Sequence, residues 1–237
     1  LSGYCDYSGR RDIIVTTTKQ ISIRKEIRKV RTLSPHQTTM TCENVSAIIL
    51  AGGKSRRFNF IDKGLVSWRG KPLLEHVAAS IASQVDDIVL SCNQHIERYQ
   101  QFGYPLFQDK LADFQGPLAG IQASLPNVRH DYVLICPCDT TQLPPTLVER
   151  LLSAMLSNGV DIAYPKTEQR DHYLPVLIKS NLQSSINAYL EGNDRSMRGW
   201  YQTLSHIAVP FSSPTQQFSN FNDPRDLTTP EQLADIE

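Results

Sequence analysis

The sequence predicts an α/β protein of three layers, in which helices cover both faces of a mostly parallel sheet. Short apolar runs alternate with segments whose apolar residues recur at helical spacing, beginning at residue 45. This alternation is typical of parallel sheets with right-handed crossovers. Polar residues that could carry chemistry follow the strands, and such sheets bind ligands there. At 237 residues the chain is long enough for one such domain and short for two.

Strands are predicted where Val, Ile and Leu cluster into short runs. In chain order they are Val45–Leu50, 88–92, 105–107, 132–136, 162–164, 176–178 and 207–209. Helices are predicted where apolar residues fall on one face, and Pro72, Pro117 and Pro144 suit a first helical turn. The helices cover residues 72–81, 95–101, 117–125, 144–156, 182–190, 196–204 and 230–236.

The composition is that of a soluble globular protein, with 40% hydrophobic and 20% charged residues. No apolar stretch approaches the twenty or so residues of a membrane span, so no membrane partner is expected. The net charge is zero, and the acidic excess after residue 39 argues against nucleic acid as a partner. The five cysteines indicate a reducing, cytoplasmic location without structural disulfides. The Cys136-Pro-Cys138 spacing does not suit a zinc site.

Residues 1–39 differ from the rest of the chain. They carry five more basic than acidic residues, and Met40 stands shortly before the first strand. We interpret 1–39 as a leader that is disordered or artefactual, with a functional tail as the alternative, and 40–237 as a single domain.

The first strand runs directly into a basic, glycine-rich loop. The chain continues from Leu50 as Ala-Gly-Gly-Lys-Ser-Arg-Arg, and Asp-Lys-Gly follows at residues 62–64. The two glycines let the backbone turn sharply and approach a ligand closely. Backbone N–H groups and the cations that follow can bind and neutralise a triphosphate. An ordinary tight turn with solvated cations is the alternative.

Two other phosphate-binding motifs do not fit this loop. Gly53-Lys54-Ser55 matches the end of the G-x-x-x-x-G-K-[ST] motif, but Ile48 stands where that motif needs its first glycine. The G-x-G-x-x-G fingerprint of dinucleotide-binding proteins is also absent after this strand.

Asp139 is the strongest candidate for a metal ligand. It follows the strand at 132–136, within Cys-Pro-Cys-Asp-Thr. A carboxylate at the end of a parallel strand can hold Mg²⁺, which prefers oxygen ligands. The alternative is a helix N-cap, but Pro144 and Pro145 place the next helix several residues later. We expect Asp139 to be exposed in a loop.

Asn93 and Asp109 also follow strands. A carboxamide such as Asn93 offers a donor and an acceptor to a purine or a ribose, and Asp109 precedes a turn built from Gly116, Pro117 and Gly120. That turn leads into a helix whose N-terminus can face an anion. The alternative for both side chains is a turn residue without a ligand.

From about Ser46 to Leu227 the chain resembles the molybdenum cofactor guanylyltransferases. This resemblance implies a Rossmann-like sheet of the nucleotide-diphospho-sugar transferase type. Two departures from the family pattern are Phe58-Asn59, in place of Met-Gly, and Thr141, in place of Pro. The matching segments are 50–57, 62–64, 70–72, Asn93, Asp109, 116–120 and 136–140, with looser agreement at 170–172 and 221–224.

The resemblance implies transfer of GMP from GTP to molybdenum-bound molybdopterin, with release of pyrophosphate and with Mg²⁺ as cofactor. The implied catalytic residues are Arg57, Lys63 and Asp139, of which Asp139 holds the metal. The implied nucleotide-binding residues are Leu50, Ala51, Gly52, Gly53, Lys63, Asn93, Asp109 and Asp139. Weaker candidates for the pterin side are Arg170, Arg195 and Asn222.

The implied partners are GTP, molybdopterin, proteins that load the molybdenum cofactor, and apo-molybdoenzymes. A molybdopterin cytidylyltransferase, a sugar-phosphate nucleotidyltransferase and a non-catalytic nucleotide-binding protein are the alternatives. Asp62 and the Gly-Pro-Leu-Ala-Gly run at 116–120 favour the guanylyltransferase. Arg195 could equally belong to a solvated helix face with Arg198. No Ser/His/Asp set is apparent, which fits a phosphoryl-type transfer without an enzyme nucleophile.

Overall fold

A seven-stranded sheet lies at the centre of the structure, a computed structural model that describes residues 45–51, 62–109, 116–192, 194–212, 218 and 220–221. The strands are β1 Val45–Leu50, β2 Ser67–Trp68, β3 Lys71–Pro72, β4 Asp87–Ser91, β5 Leu106–Phe107, β6 Tyr132–Pro137, β7 Ile162–Lys166, β8 Val176–Lys179 and β9 His206–Pro210. The helices are α1 Leu73–Ile81, α2 Ile96–Gln100, α3 Pro117–Ser124, α4 Leu147–Asn158, α5 Gln183–Glu191 and α6 Met197–Tyr201. The predicted leader at 1–39 and the predicted helix at 230–236 lie outside the described residues.

The order of the strands brings the ends of four parallel strands to one edge. The sheet runs β5-β4-β1-β6-β8-β7-β9. In its centre, Ile49 pairs with Leu90 of β4 on one side and with Cys136 of β6 on the other. Because β5, β4, β1 and β6 are mutually parallel, their carboxyl ends meet at one edge, which we call the carboxyl edge. Only β8 runs against the other strands of this sheet.

The apolar core has two parts, one on each face of the sheet. Alternate residues of β1 point to opposite faces, so Ala47 and Ile49 join one cluster and Ile48 joins the other. The first cluster packs against α1 and α4, and the second packs against α3, α5 and α6. The predicted three-layer α/β/α architecture with a mostly parallel sheet is therefore confirmed.

Two predicted helix boundaries are wrong by three residues, and the other described boundaries differ by no more than two. The helix predicted from residue 144 begins at Leu147, because a residue that precedes proline is disfavoured in the helical conformation and Pro145 follows Pro144 directly. The helix predicted to end at residue 204 ends at Tyr201. The peptide N–H of Leu204 bonds to the carbonyl oxygen of Tyr201, three residues back, so the chain closes in a tight turn.

The short hairpin formed by β2 and β3 was not predicted. Its two turn residues, Arg69 and Gly70, both have positive φ, at 49° and 77°. Two-residue hairpin turns favour such values because they match the twist of the flanking strands. Each strand has only two residues, so the apolar pattern carries no signal for them.

None of the described helices is both long and apolar enough to cross a bilayer.

Gly120 lets α3 approach the carboxyl edge closely. It is buried, and a Cβ atom built there would lie 2.6 Å from Ser91 Oγ on β4 and 3.1 Å from Leu50 Cδ2 on β1. At the first distance the Cβ atom would overlap Ser91 Oγ, so a side chain at residue 120 would require Ser91 or α3 to move. The absence of a side chain at Gly120 therefore sets the spacing between α3 and two strand ends.

We expect Gly120→Ala to lower the free energy of unfolding by about 1–3 kcal/mol, because overpacking displaces Ser91 or Leu50. Urea unfolding measures this change. The sign of this change distinguishes the two possibilities, because replacing glycine with alanine in a helix without such a contact raises the free energy of unfolding by about 1 kcal/mol. Ala79→Ser, which adds one heavy atom on the exposed face of α1, is the control and should change stability by less than about 0.5 kcal/mol. A Gly120→Ala protein as stable as the parent would contradict this account.

Candidate functional site

Hydrogen bonds between main chains extend the sheet beyond the strand ends at the carboxyl edge. Ala51 N donates to Ser91 O at 2.7 Å, and Cys138 N donates to Leu50 O at 3.0 Å. Leu50 and Ala51, which sequence analysis assigned to nucleotide binding, are thus held between β4 and β6. The start of the glycine-rich segment and the residues after β6 are fixed against each other.

Lys63 and Asp139 form an ion pair at this edge. Lys63 Nζ lies 3.0 Å from Asp139 Oδ2, and the two side chains are 20% and 12% exposed. The same ammonium donates to Phe221 O at 2.9 Å. The structure therefore brings together two of the three residues to which sequence analysis assigned catalysis. They are 76 positions apart in the chain.

Asp139 is buried, so the expectation that it is exposed is wrong. The peptide N–H of Phe221 donates to Asp139 O at 3.1 Å, and Thr140 Oγ1 donates to Asn220 Oδ1 at 2.6 Å. Residues 220–221 thus pack against the strand end. The N-cap alternative for Asp139 also fails, because α4 begins only at Leu147.

The second carboxylate oxygen of Asp139 suits a divalent cation. Oδ1 is buried and has no hydrogen-bond partner within the described part of the chain. A buried carboxylate oxygen without a partner is costly, and a hard cation such as Mg²⁺ would satisfy it. Among the described residues no group of three His, Cys, Asp or Glu side chains could hold a metal alone. Further ligands would therefore include phosphate oxygens and water, as is common for Mg²⁺.

Asn93 and Asp109 are paired at the ends of β4 and β5. Asn93 Nδ2 donates to Asp109 Oδ2 at 2.6 Å, and Asp109 N donates to Asn93 Oδ1 at 3.0 Å. Both residues are half-buried. The reciprocal bonds fix the orientation of the carboxamide and the carboxylate on the same edge that carries Leu50 and Asp139.

A buried contact between Asp62 and Tyr99 lies directly before Lys63. Tyr99 Oη donates to Asp62 Oδ1 at 2.5 Å, and Gly64 N donates to the same oxygen at 3.2 Å. Burial raises the pKa of the Asp62 carboxyl, and the Tyr99 bond, the Gly64 bond and the charges of His95 and Arg98 oppose the rise. From sequence, Asp62 was recognised only as part of the Asp-Lys-Gly run, and Tyr99 was not singled out. The glycine after Lys63 is a signal that could have indicated their contact, because Tyr99 packs where a Gly64 side chain would lie.

Comparison with known proteins decides the family. The MobA-like NTP transferase domain family matches residues 47–208. A molybdenum cofactor guanylyltransferase from Mannheimia succiniciproducens is 42% identical over 186 residues, which cover 78% of this chain and 98% of that protein. Another from Shewanella putrefaciens is 37% identical over 179 residues, covering 76% of this chain and 92% of that protein. The chain belongs to the molybdenum cofactor guanylyltransferase family.

Solved structures of other proteins have a similar fold. The molybdopterin-guanine dinucleotide biosynthesis protein A from Archaeoglobus fulgidus superposes with a TM-score of 0.64 at 21% identity, covering 81% of this chain and all of that one. The bifunctional IspDF from Campylobacter jejuni gives a TM-score of 0.61 at 17% identity, covering 78% of this chain and 53% of that one. The predicted nucleotide-diphospho-sugar transferase type of fold is confirmed.

Several residues implied by the guanylyltransferase resemblance lie outside the described residues, namely Gly52, Gly53, Arg57 and Asn222. On the predicted pterin side, Arg170 is exposed in the loop after β7. Arg195 Nη1 donates to the main-chain oxygens of Gly192 and Asp194, in its own loop before α6. Arg198 is exposed on α6. The roles of these residues stay predictions.

The described cysteines of this guanylyltransferase are buried, free thiols: Cys92, Cys136 and Cys138. Burial raises the pKa of Cys92 to about 12, and it raises that of Cys138 well above its ordinary value. These thiols are therefore protonated at neutral pH and are poor nucleophiles.

Proposed function

We propose that this protein transfers GMP from GTP to molybdenum-bound molybdopterin, forming the guanine dinucleotide form of the cofactor and pyrophosphate. The observation that carries the proposal is the Lys63–Asp139 pair, at 3.0 Å, at the edge where β1 enters the glycine-rich segment. An ammonium beside a carboxylate with one unsatisfied oxygen suits a triphosphate and its counterion. Membership of the guanylyltransferase family supports GTP and molybdopterin as the substrates.

In the proposed reaction an oxygen of the terminal phosphate of molybdopterin attacks the α-phosphorus of GTP. A new P–O–P bond forms, the bond between the α-phosphorus and the bridging oxygen breaks, and pyrophosphate leaves with the electron pair. No enzyme nucleophile is needed, so catalysis depends on positioning and charge stabilisation. Lys63 and Arg57 would neutralise the charge that moves to the leaving group.

Mg²⁺ fits this site through Asp139. Its unsatisfied Oδ1 would be the protein ligand, and the bound ion would neutralise triphosphate charge. Lys63 holds the other carboxylate oxygen, Oδ2, so Oδ1 is the oxygen that would be left to bind a cation. The orientation of Asp139 is therefore set before substrate binds.

The nucleotide would lie across the ends of β1, β4 and β5. Leu50 and Ala51 would offer main-chain contacts. The Asn93–Asp109 pair is oriented by its reciprocal bonds, and it would present donor and acceptor groups to the base or the ribose. Gly52, Gly53, Lys63 and Asp139 complete the proposed nucleotide site, while Arg170, Arg195 and Asn222 are proposed for the pterin.

The test is pyrophosphate release with molybdenum-loaded molybdopterin and each of GTP, CTP, ATP and UTP in the presence of Mg²⁺. We expect kcat/KM for GTP to exceed the others by at least about tenfold, because a site built to hydrogen-bond one base leaves polar groups unpaired with another. Equal values for all four nucleotides would remove the claim for guanine. Binding of GTP without any pyrophosphate release would instead indicate a non-catalytic nucleotide-binding protein.

A further inference from the structure

The Tyr99 hydroxyl lies against both Ala51 and Asp62. Tyr99 is on α2 and its side chain is completely buried. Its hydroxyl donates to Asp62 Oδ1 at 2.5 Å and lies 3.4 Å from Ala51 O. Ala51 is the last described residue before the segment and Asp62 is the first after it. One side chain therefore contacts Ala51 and Asp62, the two described residues on either side of 52–61.

Asp62 transmits this contact to Lys63. Its Oδ1 accepts a bond from Gly64 N and so caps the single 3₁₀ turn Lys63–Leu65. A capping carboxylate fixes the first residues of a turn, and the first of these is Lys63. Tyr99 therefore holds the Asp62 carboxylate, and the carboxylate fixes the turn from which the Lys63 side chain extends toward Asp139.

Gly64 makes room for this arrangement. A Cβ atom at Gly64 would overlap the Tyr99 hydroxyl and would also press on its ring. The residue after Lys63 therefore has to be glycine for the hydroxyl to reach Asp62. Packing alone would be satisfied by a phenylalanine ring, whereas a buried hydroxyl is stable only when it is hydrogen-bonded.

We infer that Tyr99 is a positioning residue for the transfer reaction, and that its hydroxyl sets the position of Lys63 through Asp62. This inference rests on the proposed function of Lys63 at the triphosphate. Tyr99 is not expected to touch either substrate, because its side chain is buried beneath the turn. Its effect on the reaction is therefore indirect, and the bond to Asp62, which is much shorter than the contact with Ala51 O, favours the route through Asp62 and Lys63.

The test compares Tyr99→Phe with Tyr201→Phe. Tyr201 is equally buried and its hydroxyl donates to Tyr173 O at 2.6 Å, on the opposite face of the sheet. Both substitutions remove one buried, hydrogen-bonded hydroxyl, and each should lower the melting temperature by at least about 2–4 °C, with the larger fall for Tyr99→Phe because its acceptor is a carboxylate. We expect Tyr99→Phe to lower kcat/KM for GTP by about tenfold through misplacement of Lys63, and Tyr201→Phe to leave it unchanged.

Tyr99→Phe is then repeated in a Lys63→Ala background, with the binding of a non-hydrolysable GTP analogue as a second readout. If Tyr99 acts through Lys63, the second substitution has little further effect on kcat/KM or on analogue affinity, because coupled residues are not additive. Additive losses would overturn the inference and indicate a structural role, as would equal losses for Tyr99→Phe and Tyr201→Phe. If Lys63→Ala itself has no effect, the proposed function of Lys63 fails. If it has an effect and Tyr99→Phe has none, only the inference about Tyr99 fails.

Discussion

Replacing Asp139 with asparagine is expected to lower kcat for pyrophosphate release by at least about a hundredfold. Asparagine has nearly the same shape and keeps one oxygen that can accept a bond from Lys63 Nζ. It loses the negative charge and replaces the other oxygen with an amide nitrogen, which cannot bind a cation. The substitution therefore separates the charge of Asp139 from its packing.

The burial of Asp139 explains the choice of asparagine over alanine. The side chain is 12% exposed and is paired with Lys63 at 3.0 Å, so truncation would remove the carboxylate that balances the charge of a largely buried ammonium. Breaking such a pair can cost about 3–5 kcal/mol of stability, and a loss of activity would then be confounded with unfolding. A thermal unfolding curve on Asp139→Asn checks that the fold is intact.

The matched control is Asp161→Asn. Asp161 pairs with Lys179 at 2.7 Å, and it lies just before β7, at the amino-terminal edge of the sheet, opposite the carboxyl edge. The Lys179 ammonium and the Ser205 hydroxyl hold the pKa of the Asp161 carboxyl below its ordinary value, and Asp161, like Asp139, has a lysine partner. Asp161→Asn should leave kcat unchanged.

Binding of Mn²⁺ in the presence of a non-hydrolysable GTP analogue, measured by electron paramagnetic resonance, gives a readout independent of turnover. Asp139→Asn should weaken Mn²⁺ binding, and Asp161→Asn should not. An Asp139→Asn protein with normal turnover and normal Mn²⁺ affinity would remove Asp139 from the site.

The rule that parallel strands place ligands at their carboxyl ends predicted from sequence where much of the candidate site lies. Leu50 ends a predicted strand, Asn93, Asp109 and Asp139 each follow one, and the structure places all four on one edge. The rule works because a buried parallel strand is readily recognised from its apolar run. The polar residue that follows must then emerge where the neighbouring strands also end.

The features that were missed depend on contacts distant in sequence. Asp139 was expected to be exposed, because nothing near it in the chain indicates that residues 220–221 pack over the strand end. The pairing of Tyr99 with Asp62, 37 positions apart, depends on how α2 is oriented against a single turn. The antiparallel direction of β8 could not be predicted either, because the composition of an apolar run does not depend on the direction of the strand.

Lys63→Ala is expected to lower kcat/KM for GTP by about a hundredfold, because an ammonium that neutralises the triphosphate and its leaving group is worth several kcal/mol in a water-poor site. The Lys63 ammonium lies in the candidate site, 3.0 Å from Asp139 Oδ2 and 2.9 Å from Phe221 O. Steady-state kinetics at varied GTP give the split between kcat and KM. A fall in both kcat and affinity is expected, since the charge acts on bound GTP and on the departing pyrophosphate.

Lys179→Ala is the control for Lys63→Ala, because it also removes the cationic partner of an aspartate, at the opposite edge of the sheet. Its kcat/KM should match that of the parent protein. The double variant Lys63→Ala/Asp139→Asn should lose much less than the product of the two single losses, because two groups that act on one triphosphate as a unit are not additive. Strictly multiplicative losses would show that the two residues act separately. Unchanged kinetics in Lys63→Ala would show that the ion pair serves only to hold the carboxyl edge together.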